Sequence, residues 1–195
     1  MEEIRAMKDQ IRTDTVTEIN ALPKNQRNAR INAIEKRLFE FANFLESRIV
    51  LMYVGGKNEI PTGNILKLAH EYGKIVVLPA FDASSYKMKL MKVDTLENDL
   101  RDGPRGVAEP DPDRCKRVPI EKIDIAIIPG VAFDEKGARI GTGRGYYDRL
   151  IPRLSITTRK VALAFEEQIV PQIPMESHDK FVDIIITDRR IIYKI

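Results

Sequence analysis

The sequence predicts an α/β fold: a single three-layer α/β/α sandwich with a mostly parallel central sheet. Short β-rich segments alternate with segments of helical periodicity, as in folds where helices cross over between parallel strands. No long linker, internal repeat or low-complexity tract interrupts this alternation. The chain has 195 residues, 43% of them hydrophobic, and is long enough to bury one substantial core. We therefore expect one domain over residues 1–195.

The N-terminal part of the chain is predicted to be helical. Between Asn25 and Ser47, apolar residues recur at steps of three and four, which is the spacing of one helix face. The preceding segment, residues 2–20, contains β-branched residues that disfavour a helix. A shorter helix is expected there, and Pro23 marks the break after it.

A strand-helix-strand unit follows. Residues 48–54 are β-rich, and after a Gly-Gly break Thr62 is placed to cap a helix that runs to Tyr72 and stops at Gly73. Residues 74–79 then read as a second strand. Because a helical crossover joins parallel strands, these two strands are expected to be parallel.

The remaining segments complete the predicted sheet. Tyr86, Met88 and Leu90 alternate with lysines, which predicts a half-exposed strand. Residues 101–114 are rich in Gly, Pro and Asp and are predicted to form a long loop. Almost uniformly apolar runs predict buried strands, and the first of them is expected to be central in the sheet. A helix is expected to begin near Tyr146. The apolar runs are 123–128, 160–165 and 181–187.

Composition excludes several classes of protein. The chain has 32 Lys and Arg against 29 Asp and Glu, and a net charge of +3 is too small to indicate a nucleic acid or membrane partner. The single cysteine, Cys115, cannot form an internal disulfide, and no Cys/His motif indicates zinc. No apolar run approaches the roughly 20 residues of a membrane helix. We expect a cytoplasmic protein.

The segment between Pro129 and Arg149 is the most informative. Four of the eleven glycines fall between positions 137 and 145, which lets backbone amides turn toward an anion. Arg139 and Arg144 supply guanidinium groups suited to phosphate oxygens. The segment lacks the ending of a P-loop and the glycine spacing of a dinucleotide site. On composition alone, a glycine-rich turn explains it equally well.

The same segment resembles the signature of the 5-formyltetrahydrofolate cyclo-ligases, also called methenyltetrahydrofolate synthetases. It reads Pro-Gly-x-x-Phe-Asp-x-x-Gly-x-Arg-Ile-Gly-x-Gly-x-Gly-Tyr-Tyr-Asp-Arg. Further family-like residues follow the expected order over nearly the whole chain: Lys8-x-x-Ile11-Arg12, Asn58-Glu59-Ile60, Gly73-Lys74-x-Val76-x-Leu78-Pro79, Met88, Glu109-Pro110, Phe165-x-x-Gln168 and His178-Asp179-x-x-Val182-Asp183.

The resemblance implies roles for individual residues. Catalytic cations would be Lys8, Arg139 and Arg144, and the residues that bind the cofactor ATP would be Lys8, Arg12, Arg139, Ile140, Gly141, Thr142, Gly143, Arg144, Gly145, Tyr146 and Tyr147. Folate contacts would be Val54, Glu59, Met88, Thr142 and Tyr146. Asp148 and Asp179 would contact Mg²⁺, which accepts carboxylate oxygens and keeps several waters.

Without the resemblance, most of these residues have simpler interpretations. Lys8 and Arg12 share a helix face, and such pairs are more often solvated than functional. Asp148 would be a first-turn helix residue, while Glu59 and Asp179 would be ordinary loop residues. Which of the two adjacent tyrosines lines the site is left open. Position 142 is Thr where relatives often carry Tyr or Arg, and position 144 is Arg where Lys or Gly is common.

The implied reaction converts 5-formyltetrahydrofolate and ATP into 5,10-methenyltetrahydrofolate, ADP and phosphate. ATP phosphorylates the formyl oxygen, N10 attacks the activated carbon, and phosphate leaves, so no protein nucleophile is needed. The small-molecule substrate and ATP are the expected partners of a monomer or small homo-oligomer. Alternatives are another N-formyl pterin, a noncatalytic nucleotide- or RNA-binding module, and, by fold analogy alone, a sugar-phosphate isomerase or acyl-CoA transferase.

Overall fold

The computed structural model describes residues 2–82, 84–103 and 106–194. Its helices are α1 (Glu2–Ala21), α2 (Lys24–Glu40), α3 (Ala42–Glu46), α4 (Gly63–Glu71), α5 (Leu96–Asp99) and α6 (Tyr146–Leu150). Its strands are β1 (Ile49–Leu51), β2 (Ile75–Asp82), β3 (Lys87–Lys92), β4 (Leu100–Asp102), β5 (Ala108–Pro110), β6 (Lys116–Arg117), β7 (Ile125–Ile127), β8 (Ala132–Phe133), β9 (Arg139–Ile140), β10 (Arg159–Ala164), β11 (Ile184–Thr187) and β12 (Ile191–Tyr193).

The main sheet has eight strands in the order β12-β11-β10-β7-β1-β2-β3-β6. The pairings from β11 through β2 are parallel, and the pairings at both edges are antiparallel. Strand β7 lies near the centre between β10 and β1, as the apolar run 123–128 predicted. The predicted α/β fold with a mostly parallel sheet is confirmed.

Helices cover both faces of the sheet, but unequally. One face packs against α2, α3 and α4 with the large side chains of the sheet, such as Val50 and Leu78. The other face packs against α6 and the segment after it, and it combines Leu51, Val77 and Ile185 with the smaller Ala126, Ala162 and Ala164.

The N-terminal helices differ from the prediction. The first helix, α1, spans 20 residues and is not short. Its Thr13 and Thr17 hydroxyls donate to carbonyl oxygens one turn earlier, so these residues keep their polar groups paired within the helix. The helix predicted over 25–47 is interrupted at Phe41, whose backbone is extended. That break allows Phe39, Phe41 and Phe44 all to be buried in one core.

The strand-helix-strand unit is confirmed, with parallel β1 and β2 joined through α4. Gly73 has a φ of 71° and ends the helix as predicted. Thr62 stands at the N-cap position, but the prediction that its side chain caps the helix is wrong. The Thr62 hydroxyl instead donates to the Tyr53 carbonyl at 2.6 Å and accepts the Gly55 amide at 3.0 Å. It therefore fixes the loop that follows β1.

The prediction of a long loop over 101–114 is correct only in part, and its residues 104–105 lie outside the described ranges. This segment holds most of a two-stranded hairpin, in which β4 pairs with β5 through Arg101 opposite Glu109. Glu109 is buried and accepts the Phe81 amide at 3.1 Å, which ties the hairpin to β2. The helix predicted near Tyr146 is present as α6, but it is only five residues long. Within the described ranges, no helix has the length and apolarity required to span a membrane.

Candidate active site

A cleft of about 520 Å³ opens at the carboxyl ends of β1 and β7. In the strand order, β1 is followed along the chain by its neighbour β2, toward one edge of the sheet. Strand β7 leads to its neighbour β10, toward the opposite edge. Such a reversal of direction is where open α/β sheets bind ligands. The cleft is lined by Glu2, Arg5, Lys8, Asp9, Arg12, Glu59, Pro129, Arg139, Ile140, Gly141, Thr142, Gly143, Arg144, Gly145, Tyr146, Tyr147, Asp148, Glu176, His178 and Asp179.

The glycine-rich loop forms one wall of this cleft, between β9 and α6. Gly143 and Gly145 have φ values of 95° and 65°, which only glycine adopts at low cost. A side chain at Gly141 would place its Cβ 2.7 Å from Nη1 of Arg139. The loop thus depends on glycine at these three positions for different reasons.

Arg139 lies beneath the loop and is almost fully buried, with 3% of its side chain exposed. Its Nη2 donates to Oδ1 of Asp148 at 2.6 Å, and Nη1 donates to the Pro129 carbonyl at 3.3 Å. The guanidinium carbon also lies 6.0 Å from the ring centre of Tyr147. Its Nε has no hydrogen-bond partner among the described residues. Arg139 therefore holds α6 and the loop together at the floor of the cleft.

Arg144 has the opposite character, because its side chain is exposed at the tip of the loop. Its guanidinium makes no ion pair with any residue that the structure describes. Thr142 and Gly143 beside it are exposed as well. Of the two arginines predicted to be catalytic, Arg144 is the one already accessible to a ligand.

Helix α1 forms the opposite wall and contacts the loop directly. Arg12 donates through Nε to the Gly141 carbonyl at 2.8 Å and also pairs with Asp9. Lys8 is buried, and its ammonium group lies 2.5 Å from Asp179 and 3.0 Å from Glu176. Burial acts to lower the pKa of Lys8, but the hydrogen bonds to the two carboxylates outweigh it, so the pKa is raised. The structure brings both cations predicted on this helix into the cleft.

Carboxylates surround the Lys8 ammonium group. Burial acts to raise the pKa of Asp179, but hydrogen bonds from Lys8 and from the Glu176 amide lower it below its usual range. The ligand atoms of Glu176, His178 and Asp179 lie within 4.8 Å of one another. Sequence reasoning missed Glu176, because a glutamate in a loop carries no distinguishing signal. Asp148, the other predicted metal contact, lines the same cleft.

Glu59 lies at the end of the cleft nearest β1. It is buried with 8% exposure, and its Oε2 accepts the Gly56 amide at 2.9 Å. Glu59 also borders a narrow inner pocket with Val54, Phe81 and Val107. Burial, with a smaller contribution from Glu59, raises the pKa of Tyr53 well above its ordinary value. The inner pocket measures only about 10 Å³, which is room for about one water molecule.

Each of the two adjacent tyrosines both lines the cleft and packs in the core, whereas the sequence suggested one role for each. Tyr146 and Tyr147 each line the cleft, and each is buried within the core on the α6 side. The Tyr146 ring meets Phe81 edge-on at 5.0 Å. The short helix places both rings between the sheet and the cleft, so a residue here packs and lines the site at once.

The chain is similar to known proteins. The family model of the 5-formyltetrahydrofolate cyclo-ligase family matches residues 4–188. The chain belongs to this family. It is 31% identical to the probable 5-formyltetrahydrofolate cyclo-ligase of Caenorhabditis elegans over 197 residues, with 95% of each chain covered. It is 30% identical to the probable 5-formyltetrahydrofolate cyclo-ligase of Schizosaccharomyces pombe, with 96% of this chain and 98% of that one covered.

A solved structure supports the same relationship. The NMR structure of Aquifex aeolicus 5,10-methenyltetrahydrofolate synthetase is similar to this chain with a TM-score of 0.84 at 27% identity. The similarity covers 96% of this chain and 93% of that one. The resemblance that the sequence predicted to the cyclo-ligase family is therefore confirmed.

Departures from the cyclo-ligase pattern lie at the rim of the cleft. Thr142 and Arg144 are both exposed on the loop tip, so these differences alter the entrance and not the floor. Met88, predicted to contact folate, lies apart from Val54 and Glu59. It lines a second cleft that also includes Tyr146. Tyr146 lines both clefts.

Proposed function

We propose that this protein closes 5-formyltetrahydrofolate into 5,10-methenyltetrahydrofolate with ATP, releasing ADP and phosphate. The observation that carries this proposal is the position of the family signature. It forms one wall of a cleft opposite α1 that is lined by both cations and carboxylates, with the buried carboxylate of Glu59 at one end. Its volume of about 520 Å³ is in the range of small-molecule sites.

ATP would lie between the two walls of the cleft. Its phosphates would meet Lys8 and Arg12 on α1, and the backbone of the glycine-rich loop with Arg144 on the opposite side. Arg139 supports the loop from below through Asp148. The other residues proposed to contact the nucleotide are Ile140, Gly141, Thr142, Gly143, Gly145, Tyr146 and Tyr147.

Carboxylate oxygens in the cleft suit a magnesium ion carried with the nucleotide. Asp148 is engaged through Oδ1, so its second oxygen can be offered to the ion. Asp179 is engaged through Oδ2, and its Oδ1 lies 3.5 Å from Nε2 of His178. Glu176 is a further oxygen ligand beside Asp179. Mg²⁺ accepts oxygen ligands and keeps several waters, so two or three carboxylates are enough. The ion would neutralise phosphate charge and orient the transferred group.

The folate would occupy the Glu59 end of the cleft. Glu59 is held in place by the Gly56 amide, and its carboxylate can accept hydrogen bonds from the nitrogen-bound hydrogens of a pterin ring. Val54 would contact the ring's apolar edge, which requires the inner pocket to widen beyond its present 10 Å³. Thr142 and Tyr146 would lie between nucleotide and folate, and Met88 would contact the substrate beyond Tyr146.

The reaction then needs only positioning and charge. The formyl oxygen attacks the γ-phosphorus of ATP, and ADP leaves. N10 attacks the activated formyl carbon and loses its proton, and the C–O bond breaks as phosphate departs, closing the five-membered ring. Lys8, Arg139 and Arg144 offset charge on the phosphoryl oxygens, a contribution that is typically worth several kcal/mol when the cations are preorganised.

Two further properties belong to this proposal. A cytoplasmic location agrees with the single thiol of Cys115, which is buried and has no partner for an internal disulfide. The expected partners are ATP and 5-formyltetrahydrofolate, with the protein acting as a monomer or small homo-oligomer and without nucleic acid.

The test mixes purified protein, Mg·ATP and 5-formyltetrahydrofolate and follows methenyl absorbance together with ADP. We expect one ADP for each methenyl product. Product formed without ATP, or ADP formed without product, would contradict the assignment. Parallel reactions with 10-formyltetrahydrofolate and with other 5-formyl pterins that carry an N10 nitrogen separate this substrate from other N-formyl pterins, and faster turnover of one of them would move the assignment to that compound.

A further inference from the structure

Asp134 is a buried carboxylate to which the function proposed above gives no role. It lies in the turn between β8 and β9, within the family signature, and only 2% of the residue is exposed. It forms no ion pair with any residue in the described ranges. A buried carboxylate without a cation is costly unless hydrogen bonds satisfy it, so its hydrogen-bond partners indicate what it does.

The Asp134 carboxylate accepts three backbone amides, and these come from two separate parts of the chain. Its Oδ1 accepts the amides of Lys136 and Ala138, both at 3.0 Å, inside the turn that leads into Arg139. Its Oδ2 accepts the amide of Ile173 at 3.0 Å, 39 residues further along. Hydrogen bonds to a charged acceptor are about twice as strong as neutral ones. The side chain therefore fastens the β8–β9 hairpin to the segment that begins at Ile173.

The two fastened parts carry different groups of the proposed ATP site. Strand β9 continues into the glycine-rich loop at Gly141. Residues 173–179, which we call the acidic segment, contain the predicted metal contact Asp179. Ile173 also packs with Ile140 in a small buried apolar cluster at the same junction. The position of the loop relative to the acidic segment is thus fixed by one carboxylate and a few apolar side chains.

Helix α1 bridges the same two parts at the cleft. Lys8 contacts Asp179 in the acidic segment at 2.5 Å, and Arg12 donates to the Gly141 carbonyl in the glycine-rich loop at 2.8 Å. These two cations lie four residues apart on one rigid helix, so they reach both targets only when loop and acidic segment keep a fixed spacing. Asp134, which is not in the cleft lining, joins the two parts within the protein interior.

We propose that Asp134 is a positioning residue for Mg·ATP, which sets the spacing between the glycine-rich loop and the acidic segment. It touches neither the nucleotide nor the folate, and it acts through Gly141 on one side and Asp179 on the other. Its loss weakens nucleotide binding and leaves the contacts at the Glu59 end of the cleft unchanged. This inference rests on the function proposed above.

The experiment uses Asp134→Asn, which keeps the size of the side chain but replaces one acceptor oxygen with a donor. We expect the KM for Mg·ATP to rise roughly tenfold, because small displacements of binding groups are costly, with the KM for 5-formyltetrahydrofolate unchanged. Calorimetry with Mg²⁺ and a non-hydrolysable ATP analogue should show the same loss of affinity. Amide hydrogen exchange should become faster in the acidic segment, which reports the displacement without any turnover.

The control is Asp124→Asn. Asp124 also accepts two backbone amides, those of Arg48 and Ile49 at 2.9 and 2.8 Å, but it precedes β7, at the strand end away from the cleft. A merely structural loss lowers the fraction of folded enzyme, and hence the apparent turnover, without changing KM. An unchanged KM for Mg·ATP in Asp134→Asn, or an equal rise in the control, overturns the inference.

Ile173→Ala tests the same junction if Asp134→Asn does not fold. It removes apolar contacts between the acidic segment and β9, so the KM for Mg·ATP should again rise. Ile65→Ala in α4 is the control for the loss of a buried isoleucine elsewhere. An unchanged KM in Ile173→Ala, or an equal rise in Ile65→Ala, overturns the inference as well.

The outcomes separate this inference from the function on which it rests. The coupled methenyl and ADP assay on wild type decides the function. Product formation with an unchanged KM for Mg·ATP in Asp134→Asn leaves the function standing and removes the positioning role. Weaker binding of the analogue to Asp134→Asn than to the control, without product in wild type, keeps the positioning role and removes the reaction. A wild-type protein that does not bind the analogue overturns both.

Discussion

Lys8 and Lys74 are both buried lysines, but they lie in different regions and have different partners. Lys74 donates to three backbone carbonyls around the end of α3, those of Phe44, Leu45 and Ser47, at 2.6 to 2.7 Å. Lys8 instead contacts two carboxylates at the wall of the cleft. The first arrangement satisfies a helix end that would otherwise lose its hydrogen bonds. The second concentrates charge beside a space that a ligand can enter.

The pKa values reflect this difference. Burial lowers the pKa of Lys74, because neutral carbonyls do not compensate fully for lost water. The negative charge of Asp124 offsets this lowering only in part. The pKa of Lys8 is raised despite burial, because Asp179 and Glu176 are charged. A buried cation with neutral partners is therefore a structural element here. A buried cation with charged partners in a cleft indicates a site, and the predictions below test this distinction.

The largest effect is expected for Lys74→Met. The change leaves three carbonyl oxygens without their donor and should lower the free energy of unfolding by about 3 kcal/mol. Turnover at saturating substrate should not change, because Lys74 is remote from the cleft lining. Urea denaturation measures the first quantity, and the methenyl assay measures the second. Lys67→Met, on the exposed side of α4, is the control and should stay within about 0.5 kcal/mol.

Arg144→Ala should produce the reverse pattern. We expect turnover to decrease roughly 10²-fold or more, because the accessible cation nearest the phosphates is lost. The free energy of unfolding should change little, since the Arg144 side chain is exposed. Steady-state kinetics and urea denaturation on one preparation separate the two effects. Arg159→Ala removes an exposed arginine elsewhere, and a comparable loss in that variant would refute a specific role for Arg144.

Gly141→Ala tests the glycine-rich loop between β9 and α6. Its Cβ would approach Nη1 of Arg139 to 2.7 Å, so the arginine or the loop has to shift. We expect roughly tenfold lower turnover, because misplacement of a catalytic group is costly. The matched control is Gly63→Ala at the start of α4, where a Cβ meets no atom within 4 Å. Wild-type kinetics in Gly141→Ala would show that the loop tolerates the shift.

The smallest effect concerns alkaline pH, measured without Mg²⁺ or nucleotide. The pKa of Lys8 is raised, so its stabilisation is complete below the ordinary lysine value of about 10.5 and is lost as pH rises through the folded-state value. The pKa of Lys74 is lowered, so its burial penalty is relieved as pH rises toward 10.5. The free energy of unfolding of wild type minus that of Lys8→Met should decrease as pH rises above 10.5. The free energy of unfolding of wild type minus that of Lys74→Met should increase as pH rises toward 10.5. Each slope is bounded by about 1.4 kcal/mol per pH unit, and parallel slopes would contradict the comparison.

Much of the fold could be predicted because apolar periodicity records which faces are buried. The runs 123–128, 160–165 and 181–187 all contain strands of the sheet, and Gly73 ends a helix. The hairpin of β4 and β5 was not predicted, since its strands are short, polar and rich in turn-forming residues. The interruption at Phe41 has no Gly or Pro signal either. It follows from packing three phenylalanines into one core, which only tertiary structure determines.

The site was predictable where one continuous segment supplies it. The glycine-rich loop could be located from its composition, and the family resemblance added Lys8 and Arg12, which the structure brings to the same cleft. Glu176 could not be found, because its role depends on a contact with Lys8 across 168 residues. The sequence also could not show that Met88 and Glu59 line different pockets, because this depends on the three-dimensional structure. Contacts between distant segments carry no local sequence signal.

We propose that cations around the loop drive phosphoryl transfer to the formyl oxygen. The most direct measurement uses substrate labelled with ¹⁸O in the formyl group and locates the label after turnover. We expect one ¹⁸O in each inorganic phosphate released, because the C–O bond breaks after phosphorylation. Label found in solvent water, with unlabelled phosphate, would contradict it.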